Sequence, residues 1–439
     1  MTTFKKSVLI AALLAAAGTA SAAVSYTPGT YTGEANGRNG PVKVEVQVDS
    51  SKILSVKVVS HHESKGLSDQ PLAVIPKQIV EKQSLAVDGF SGATFSSRAV
   101  INATKAALSK ASKDISPLLV APVVAKAALP SKRSCDVVVI GSGVAGLSAG
   151  IEAKEHGADV VILEKQGLLG AGDSMNISTG VSAGGSRMIA DLGIKNASAK
   201  DFENFLLKQA ADKKIPINKD NVITYARRSG ETIDWLMDMG VPFGRFQANK
   251  FFHITKDGSA PGPHIIKTLS NRIAQDHIDY RLNSRVTDIL RQNGKITGVK
   301  VSTKDGDYTI KAKAVVIATG GFSNDPNLVK RWAPEWASRP TTGAVSLTGD
   351  GIKMAQKIGA AVVAMEQVKA NYLCHPLNKT NGVSLTAITP YTVLVNHDGK
   401  RFVDESHASI NFKSRAEMKQ KGHEAYAVVD QTAMNNLKL

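Results

Sequence analysis

The sequence has few cysteines, few aromatic residues and no pair of residues with the spacing of metal ligands. Cys135 and Cys374 are the only cysteines among 439 residues, and their separation does not indicate a disulfide. A chain poor in thiols avoids wrong pairing in an oxidising compartment, so this composition suits a protein of the bacterial periplasm. His61 and His62 in "SHHES" are interpreted as surface residues, so the sequence predicts no metal site.

Long basic runs are also missing, although the net charge is +16. The Lys and Arg residues are scattered, and aromatic residues make up only 5% of the chain. This distribution disfavours the clustered basic surface of a nucleic-acid-binding protein, so we expect no nucleic acid partner. The charge either attracts acidic substrates or an acidic redox partner, or it only keeps the protein soluble.

Residues 1–22 are typical of a secretory signal peptide. Lys5 and Lys6 precede the apolar run "SVLIAALLAAAGTA", which is short for a membrane span. The "ASA" at 20–22 is a small-x-small cleavage site. We expect export to the periplasm and removal of this segment; an uncleaved membrane anchor is the alternative.

The remaining chain is long enough for two or three domains, and residues 24–110 predict a small α+β domain. Strands "VKVEVQV" and "ILSVKVV" alternate polar and apolar residues and are joined at 49–51. "QPLAVIPKQIVEKQ" predicts a short helix broken by Pro76. A second helix, "SRAVINATKAALSKA", has one apolar face. That face is formed by Val100, Ile101, Thr104, Ala107 and Leu108.

Residues 111–133 contain three prolines and many alanines, which is typical of a linker. The alternative is a segment whose apolar face packs against the next domain. The chain changes character at Ser134, where a pattern of strands and helices begins.

A glycine-rich turn follows the strand "DVVVI" and opens a helix. In "GSGVAG", Gly141 permits the tight turn, Gly143 lets backbone amides approach a pyrophosphate, and Gly146 lets helix and strand pack closely. The free N–H groups at the helix start favour a phosphate. Glu164 ends the next strand about 20 residues later, where a carboxylate binds ribose hydroxyls. The complete strand–turn–helix–strand pattern predicts dinucleotide binding.

The stretch up to about residue 280 is predicted to be helical, and a β-meander follows it. The strands are "SRVTDILRQ", "KITGVKVST" and "YTIKAKAVVIATGG", with turns at 293–294 and 305–306. A buried strand that ends in "ATGG" after a hairpin favours FAD over NAD. "TGDGIKMAQKIGA" places Asp350 at a helix start, where it either caps the helix or contacts the cofactor.

Residues 134–439 resemble the flavoprotein subunits of fumarate reductases and succinate dehydrogenases, in particular the periplasmic fumarate and urocanate reductases. The motifs "GSGVAG", "LEK", "ATGG" and "TGDG" carry the resemblance. It implies an α/β, Rossmann-like FAD-binding domain over 134–365 and the start of a capping domain over 366–439. The residues that it assigns to FAD are Gly141, Gly143, Ala145, Gly146, Glu164, Lys165, Ala318, Thr319, Gly320 and Asp350. "GAGDSMNISTGVSAGG" resembles the loop beneath the flavin ring and adds Asp173, Ser174, Ser178, Thr179 and Gly180.

The N-terminal region resembles the FMN-binding domain of such reductases and of sodium-pumping quinone reductases. The resemblance lies in "TYTGEANGRNGPVKVEVQV" and "DGFSGAT", and in those proteins the Thr of "SGAT" is esterified to the FMN phosphate. It implies covalent FMN on Thr94 beside non-covalent FAD. Gly92 allows a tight turn, and the amides of the following helix can stabilise the phosphate. As a bare pattern, "SGAT" is a turn or a helix cap.

The resemblance is weaker at the substrate site, where such a reaction needs a cation on the carboxylate and an acid. The family's proton-donating Arg falls near Ala408 or Ser409, and the family's "HPT" position falls at Asn371 or Tyr372. A Tyr there fits urocanate-like or aryl-acrylate substrates. The catalytic candidates are His375, Tyr372, His407 and Arg415. Both histidines also fit ordinary loop or surface positions.

The resemblance implies an exported reductase that passes electrons from FMN to FAD and then to the C=C bond of an enoate such as fumarate or urocanate. It implies a quinol-linked or cytochrome electron donor at the inner membrane. Family members continue for about a domain beyond "AYAVVDQT", so we also expect a truncated chain with weak activity. The alternatives are a flavin electron carrier without substrate chemistry and an oxidase or dehydrogenase on the same fold.

Overall fold

The computed structural model describes residues 24–63, 68–87, 89–90, 94–119, 130, 133–177, 180–212, 215–246, 249–376, 382–384, 392–407 and 409–431. The predicted signal peptide lies outside these residues. Within them, no helix combines the length and the apolar character that crossing a membrane requires. The chain divides into an N-terminal and a C-terminal compact unit.

The N-terminal unit has the predicted α+β composition. Its elements are β1 (Gly29–Asn36), β2 (Pro41–Val48), β3 (Ile53–Ser60), α1 (Asp69–Lys82) and α2 (Thr94–Ala111). The strands form an antiparallel sheet in the order β1-β2-β3. The predicted turn between β2 and β3 is confirmed, because Asp49 Oδ1 accepts hydrogen bonds from the N–H groups of Ser51 (2.7 Å) and Lys52 (2.6 Å).

The core of this unit lies between the sheet and α2. Valines alternate along β2, so one face of the sheet is apolar. The predicted face of α2 is confirmed, with Ile101 half-buried and four other residues fully buried: Val100, Thr104, Ala107 and Leu108. At Gly33, a Cβ atom would lie 2.0 Å from the carbonyl oxygen of Ala103, so glycine allows β1 to contact the backbone of α2.

The predicted break at Pro76 is wrong, because α1 continues through it. Proline removes one backbone hydrogen bond and crowds the preceding turn. Ile75 and Ile79 on either side of it are fully buried, so packing against the core offsets this local penalty.

The first part of the predicted linker is packed. Ser116–Leu119 form a short 3₁₀ helix, and the buried Leu118 accepts hydrogen bonds through its carbonyl oxygen from Leu85 N (2.8 Å) and Ser84 Oγ (3.1 Å). Residues 120–129 lie outside the described residues.

The C-terminal unit is built on a mixed six-stranded sheet in the order β10-β11-β12-β4-β5-β9. The strands are β4 (Arg133–Ile140), β5 (Val160–Leu163), β9 (Asp279–Arg281), β10 (Arg285–Gln292), β11 (Lys295–Thr303) and β12 (Gly306–Ile317). Strands β12, β4, β5 and β9 run parallel, and β10, β11 and β12 form the predicted antiparallel meander. The helices that follow β4 and precede β9 are α3 (Val144–Glu155) and α7 (Pro261–Gln275). They pack on each other, and β5 is buried along its whole length.

The predicted helical region up to about residue 280 contains helices, but it is interrupted by strands that the sequence did not predict. Helices α4 (Arg187–Asp191), α5 (Ala199–Asp212) and α6 (Lys219–Asp238) are present, but three short strands form a second sheet in the order β6-β8-β7. These strands are β6 (Val181–Ser182), β7 (Phe243–Phe246) and β8 (Phe252–Thr255). Strands of two to four residues give too little alternation to be detected beside long helices.

The remaining elements follow β12. Helices α8 (Pro326–Trp332) and α9 (Asp350–Lys357) precede the capping segment, by which we mean residues 366–431. The capping segment contains β13 (Cys374–Pro376), β14 (Gly382–Ser384), β15 (Val393–Val395), α10 (Ile410–Met418) and β16 (Tyr426–Val428). Its small core is formed by Tyr372, Leu373, Leu394 and Val403.

His253 in β8 is a buried histidine at the centre of the second sheet. Its Nδ1 lies 3.0 Å from the carbonyl oxygen of Phe251, so this nitrogen carries the proton and donates. Its Nε2 therefore accepts from Ser186 Oγ at 2.8 Å. Burial lowers the pKa of His253, and the two backbone carbonyls and the more distant Asp234 carboxylate do not offset it.

We expect His253 to make the protein sensitive to mild acid. As pH falls through the ordinary histidine pKa of about 6.5, the unfolded chain takes up a proton that the folded chain refuses. Stability should then fall by up to about 1.4 kcal/mol per pH unit until the lowered pKa is reached. The His253→Asn variant should lose this part of the slope when urea unfolding is measured between pH 7.5 and 5.

The matching control is His277→Asn, because His277 is exposed and has a positive φ that Asn adopts readily. This variant should keep the wild-type slope. Equal slopes in wild type and His253→Asn would contradict the assignment.

Candidate functional site

The glycine turn after β4 brings α3 close to the ends of the parallel strands. Gly141 has φ +98°, and a Cβ atom there would lie 2.4 Å from the carbonyl oxygen of Ala318. A Cβ atom at Gly146 would lie 1.9 Å from the carbonyl oxygen of Gly141. Gly143 is the N-cap residue of α3 and has no side chain to cover the helix start. The geometry therefore requires glycine at 141 for the turn and at 146 for the close contact, whereas the role of Gly143 at a pyrophosphate stays a prediction.

A cavity of about 530 Å³ opens beside this turn, at the carboxyl ends of β4, β5 and β12. The predicted residues that line it are Gly141, Gly143, Ala145, Glu164, Lys165, Asp173, Ser174, Ala318, Thr319, Gly320 and Asp350. Gly146 is buried behind the lining, at the contact of helix and strand. Gly180 starts the turn into β6 and does not line the cavity. Ser178 and Thr179 lie outside the described residues.

The sequence reasoning missed several lining residues. These are chiefly Ser142, Ser284, Arg285, Val286, Ser346 and Leu347. Strand β9 lies next to β5 at the edge of the sheet, and β10 begins shortly after β9. The chain that leaves β9, which includes Ser284–Val286, therefore reaches the cavity. The position of β9 in the sheet, which the sequence does not give, was the missing information.

Glu164 is held rigidly at the end of β5. One carboxylate oxygen accepts from the backbone N–H (2.9 Å) and the hydroxyl (2.7 Å) of Ser142, and the other accepts from Gln166 N at 2.8 Å. The Ser142 hydroxyl oxygen also accepts from Gly170 N at 3.0 Å. The Ser142 hydroxyl and the Glu164 carboxylate thus join the glycine turn, the end of β5 and the loop at 170. The carboxylate has lone pairs left for ribose hydroxyls.

Asp350 forms a charged cluster in the cavity lining. Its carboxylate accepts from Lys165 Nζ and Arg285 Nη2, both at 3.0 Å, and from Thr348 Oγ1 at 2.9 Å. Burial alone would raise the pKa of Asp350. The hydrogen bonds and charges of Lys165 and Arg285 outweigh burial and hold the pKa below its ordinary value.

The interpretation of Asp350 as a helix cap is wrong. The N-cap of α9 is Gly349, with φ +66°, and Asp350 is the first helical residue. The N–H of Gly351 donates to Thr319 Oγ1 at 3.1 Å. Thr319, from the loop after β12, therefore satisfies the start of α9 and leaves the Asp350 carboxylate to the two cations.

The loop at 173–174 joins the cavity to two other parts of the unit. Ser174 Oγ accepts from Val144 N at 3.0 Å, in the first turn of α3. Asp173 Oδ1 accepts from Ala344 N at 2.6 Å. The first hydrogen bond places a serine hydroxyl at the amides that the motif predicts for a pyrophosphate, and the second ties the Asp173 carboxylate to the segment before α9.

Thr94 is the first residue of α2, and its side chain lies outside what the structure describes. The first turn of α2 is anchored by the buried Glu63, which accepts a hydrogen bond from Ser96 Oγ. The other carboxylate oxygen of Glu63 accepts from Asn39 N at 2.9 Å. The sheet therefore fixes the start of α2.

The predicted catalytic residues lie in the capping segment, and the three whose side chains the structure describes, Tyr372, His407 and Arg415, do not line the cavity. Tyr372 is 2% exposed and contributes to the core. His407 is exposed; its Nδ1 accepts from Ser409 N at 3.1 Å. Arg415 pairs with Glu335 at 2.8 Å, and that hydrogen bond raises the pKa of Arg415. The His375 side chain lies outside the described residues. The catalytic roles of these four residues stay predictions.

Metal chemistry finds no support in the described ranges, where no group of three His, Cys, Asp or Glu side chains could hold an ion.

Comparison with known proteins gives two family matches. Residues 136–436 match the FAD binding domain, and residues 37–109 match the FMN-binding domain. The predicted pair of flavin-binding domains and the mixed α/β and α+β fold are therefore confirmed.

Similar proteins include two NADH-linked oxidoreductases. The chain is 29% identical to NADH:acrylate oxidoreductase of Vibrio harveyi, over 87% of this chain and 44% of that protein. It is 30% identical to NADH:fumarate oxidoreductase of Klebsiella pneumoniae, over 91% of this chain and 44% of that protein. The chain thus spans less than half the length of either relative. The open conformation of a flavocytochrome c3 fumarate reductase has a TM-score of 0.62 and 29% identity, covering 70% of this chain and 55% of that chain.

Gly146→Ala should disrupt the cavity from behind. The added methyl group would overlap the carbonyl oxygen of Gly141, so α3 must move away from β4. We expect at least a tenfold loss of FAD affinity, measured by titrating the deflavinated protein with FAD and following flavin fluorescence.

Gly167→Ala is the matched control, since Gly167 does not line the cavity and an added Cβ atom there would meet the Asn283 side chain at an ordinary contact distance of 3.5 Å. Its FAD affinity should stay within about threefold of wild type. Normal FAD affinity in Gly146→Ala would show that the close contact is not needed.

Proposed function

Because the chain belongs to the family of FAD-binding-domain flavoproteins and also carries an FMN-binding domain, we propose that it is a flavin-dependent reductase of α,β-unsaturated carboxylates. The observation that carries the proposal is the joint presence of a built dinucleotide cavity and an FMN-binding domain on one chain. The names of its relatives, which include an acrylate and a fumarate oxidoreductase, support the choice of substrate class.

The residues of the cavity fit FAD. The start of α3 has an uncovered N-cap glycine, which suits a pyrophosphate, and Glu164 at the end of β5 suits a ribose. The ionised Asp350 pairs with both Lys165 and Arg285, so this cluster holds one negative and two positive charges, and the excess positive charge suits a phosphate-bearing cofactor. When bound, FAD supplies a ring that accepts electrons and delivers a hydride, and FMN supplies a second electron carrier.

For FMN we propose covalent attachment at Thr94. Thr94 opens α2, so the N–H groups of the first turn are available to the phosphate of an ester at this position. The order of electron flow that we propose is from FMN to FAD and then to the substrate.

The donor and the compartment are part of the same proposal. Residues 1–22 support export to the periplasm, where a quinol-linked or cytochrome donor at the inner membrane would supply electrons. The names of the two NADH-linked relatives make NADH a second candidate donor. Comparing flavin reduction by NADH and by a membrane quinol in the purified protein distinguishes the two.

A flavin electron carrier is the second candidate function, and one position favours it. Ser409, near the place where the resemblance puts a proton-donating Arg, is the N-cap of α10; its Oγ accepts from Phe412 N at 3.3 Å. A neutral serine at this position lacks the positive charge that the arginine would supply.

Reoxidation of the reduced protein separates a reductase from a carrier. We expect fumarate, acrylate, urocanate or cinnamate to reoxidise the flavins of the dye-reduced protein under anaerobic conditions, while the saturated analogue of each acid does not. Flavin reduction without reoxidation by any enoate would support the carrier and contradict the reductase.

Thr94→Ala should remove the covalent flavin. In a host that attaches FMN, intact-mass spectrometry of the wild type should show the added mass of FMN less one water, and Thr94→Ala should lack it. Thr94→Ser keeps a hydroxyl and is the matched control, with at least part of the modification retained. A wild-type protein without the added mass would contradict the assignment of covalent FMN to Thr94.

A further inference from the structure

Lys413 is a buried cation in the capping segment. The residue is 8% exposed and lies in the second turn of α10. Its Nζ donates to the carbonyl oxygen of Glu405 at 3.1 Å and lies 4.8 Å from the centre of the Tyr372 ring. In the part of the chain that the structure describes, no carboxylate pairs with it.

The nearest carboxylate in sequence is already engaged. Glu405 accepts from Arg401 Nη2 at 2.5 Å and from Leu394 N at 2.7 Å. Among the described residues, Lys413 Nζ therefore contacts only the backbone oxygen of Glu405 and the π-face of Tyr372. An ammonium group removed from water with one neutral acceptor leaves two N–H donors for an anion.

The packing of α10 holds Lys413 and Tyr372 together. Three side chains on α10 bind the extended stretch before β13: Asn411 Oδ1 accepts from Ala370 N (2.9 Å), Ser414 Oγ donates to Ala370 O (2.5 Å), and Glu417 Oε2 accepts from Leu373 N (3.0 Å). The Tyr372 hydroxyl makes no hydrogen bond with the described residues, and the Lys413 ammonium group lies over the ring of the same tyrosine.

The direction of the Lys413 side chain brings its charge to the start of α10. Helical side chains lean toward the N-terminus, and Nζ accordingly reaches back beyond Ser409 to Glu405. Ser409 and Lys413 are one turn apart on the same face. The Lys413 ammonium group thus lies near Ser409, the neutral residue found where the resemblance expects an arginine.

We propose that Lys413 binds the carboxylate of the substrate, with the Tyr372 hydroxyl as its neighbouring donor. The inference rests on the proposed function, because it takes the ligand to be an unsaturated carboxylate. Lys413 thereby acts as the substrate-binding cation of the capping segment.

Binding of an acid and of its uncharged ester tests the assignment. The probes are cinnamate and methyl cinnamate, titrated into the FAD-loaded full chain and followed by flavin difference absorbance. Lys413→Met should weaken cinnamate binding at least tenfold and leave methyl cinnamate within about twofold, because only the acid carries the charge that Lys413 recognises. Lys413→Arg should retain most of the affinity for the acid.

Lys419→Met is the matched control, since Lys419 is exposed at the end of the same helix, and it should bind both ligands as the wild type does. Tyr372→Phe should weaken the acid by a smaller factor than Lys413→Met. Thermal melting of each variant checks that the fold is kept.

The outcomes separate the two proposals. Equal binding of cinnamate by wild type and Lys413→Met overturns the role of Lys413 and leaves the reductase standing. Equal weakening of acid and ester shows a structural lysine and overturns the inference as well. If the wild type binds neither cinnamate nor fumarate, urocanate or acrylate, the proposed function fails and this inference fails with it.

Discussion

The close contact between the start of α3 and the ends of β4 and β12 is the constraint on which the cavity depends. Side chains at Gly141 or Gly146 would overlap backbone oxygen atoms, at 2.4 Å and 1.9 Å respectively. Without those side chains, the N-terminal amides of α3 lie at the carboxyl ends of the parallel strands, where their partial positive charge faces a ligand. Glu164, Asp350 and the loop at 173–174 are then arranged around that fixed point.

The charged groups around the cavity have more hydrogen-bond partners than Lys413 has in the capping segment. Glu164 and Asp350 are each satisfied by several donors, which makes the cavity wall rigid before any cofactor arrives. Lys413 has a single hydrogen bond to the described residues and a ring face. A preorganised wall suits a resident cofactor, whereas an incompletely satisfied cation suits a ligand that comes and goes.

The sequence predicted those elements that depend on residues close to one another in the chain. The glycine turn, the Asx turn at Asp49 and the meander with its Asn293-Gly294 turn were found from residue types and spacing, and the apolar face of α2 from its periodicity. The predictions were wrong where contacts between distant parts of the chain determine the local structure. Pro76 stays helical because Ile75 and Ile79 are buried, and Asp350 is not a cap because Thr319, from the loop after β12, accepts the hydrogen bond at the start of α9.

The same distinction applies to the site. Residues inside the motifs were predicted, but Ser284–Val286 reach the cavity through the order of strands β5 and β9, and Lys413 is distinguished only by its burial and its missing counter-ion. The short strands of the second sheet and the buried pair of His253 and Ser186 gave no detectable pattern. Burial and strand order are properties of the folded chain, so a motif search could not provide them.

The central claim is that one chain holds two different flavins, one bound by the cavity and one attached to the N-terminal unit. The most direct measurement is the flavin content of the protein purified from a host that attaches FMN, after acid precipitation. The account predicts FAD in the supernatant and an equal molar amount of FMN that stays with the precipitated protein. A precipitate without flavin, or a supernatant without FAD, would contradict it.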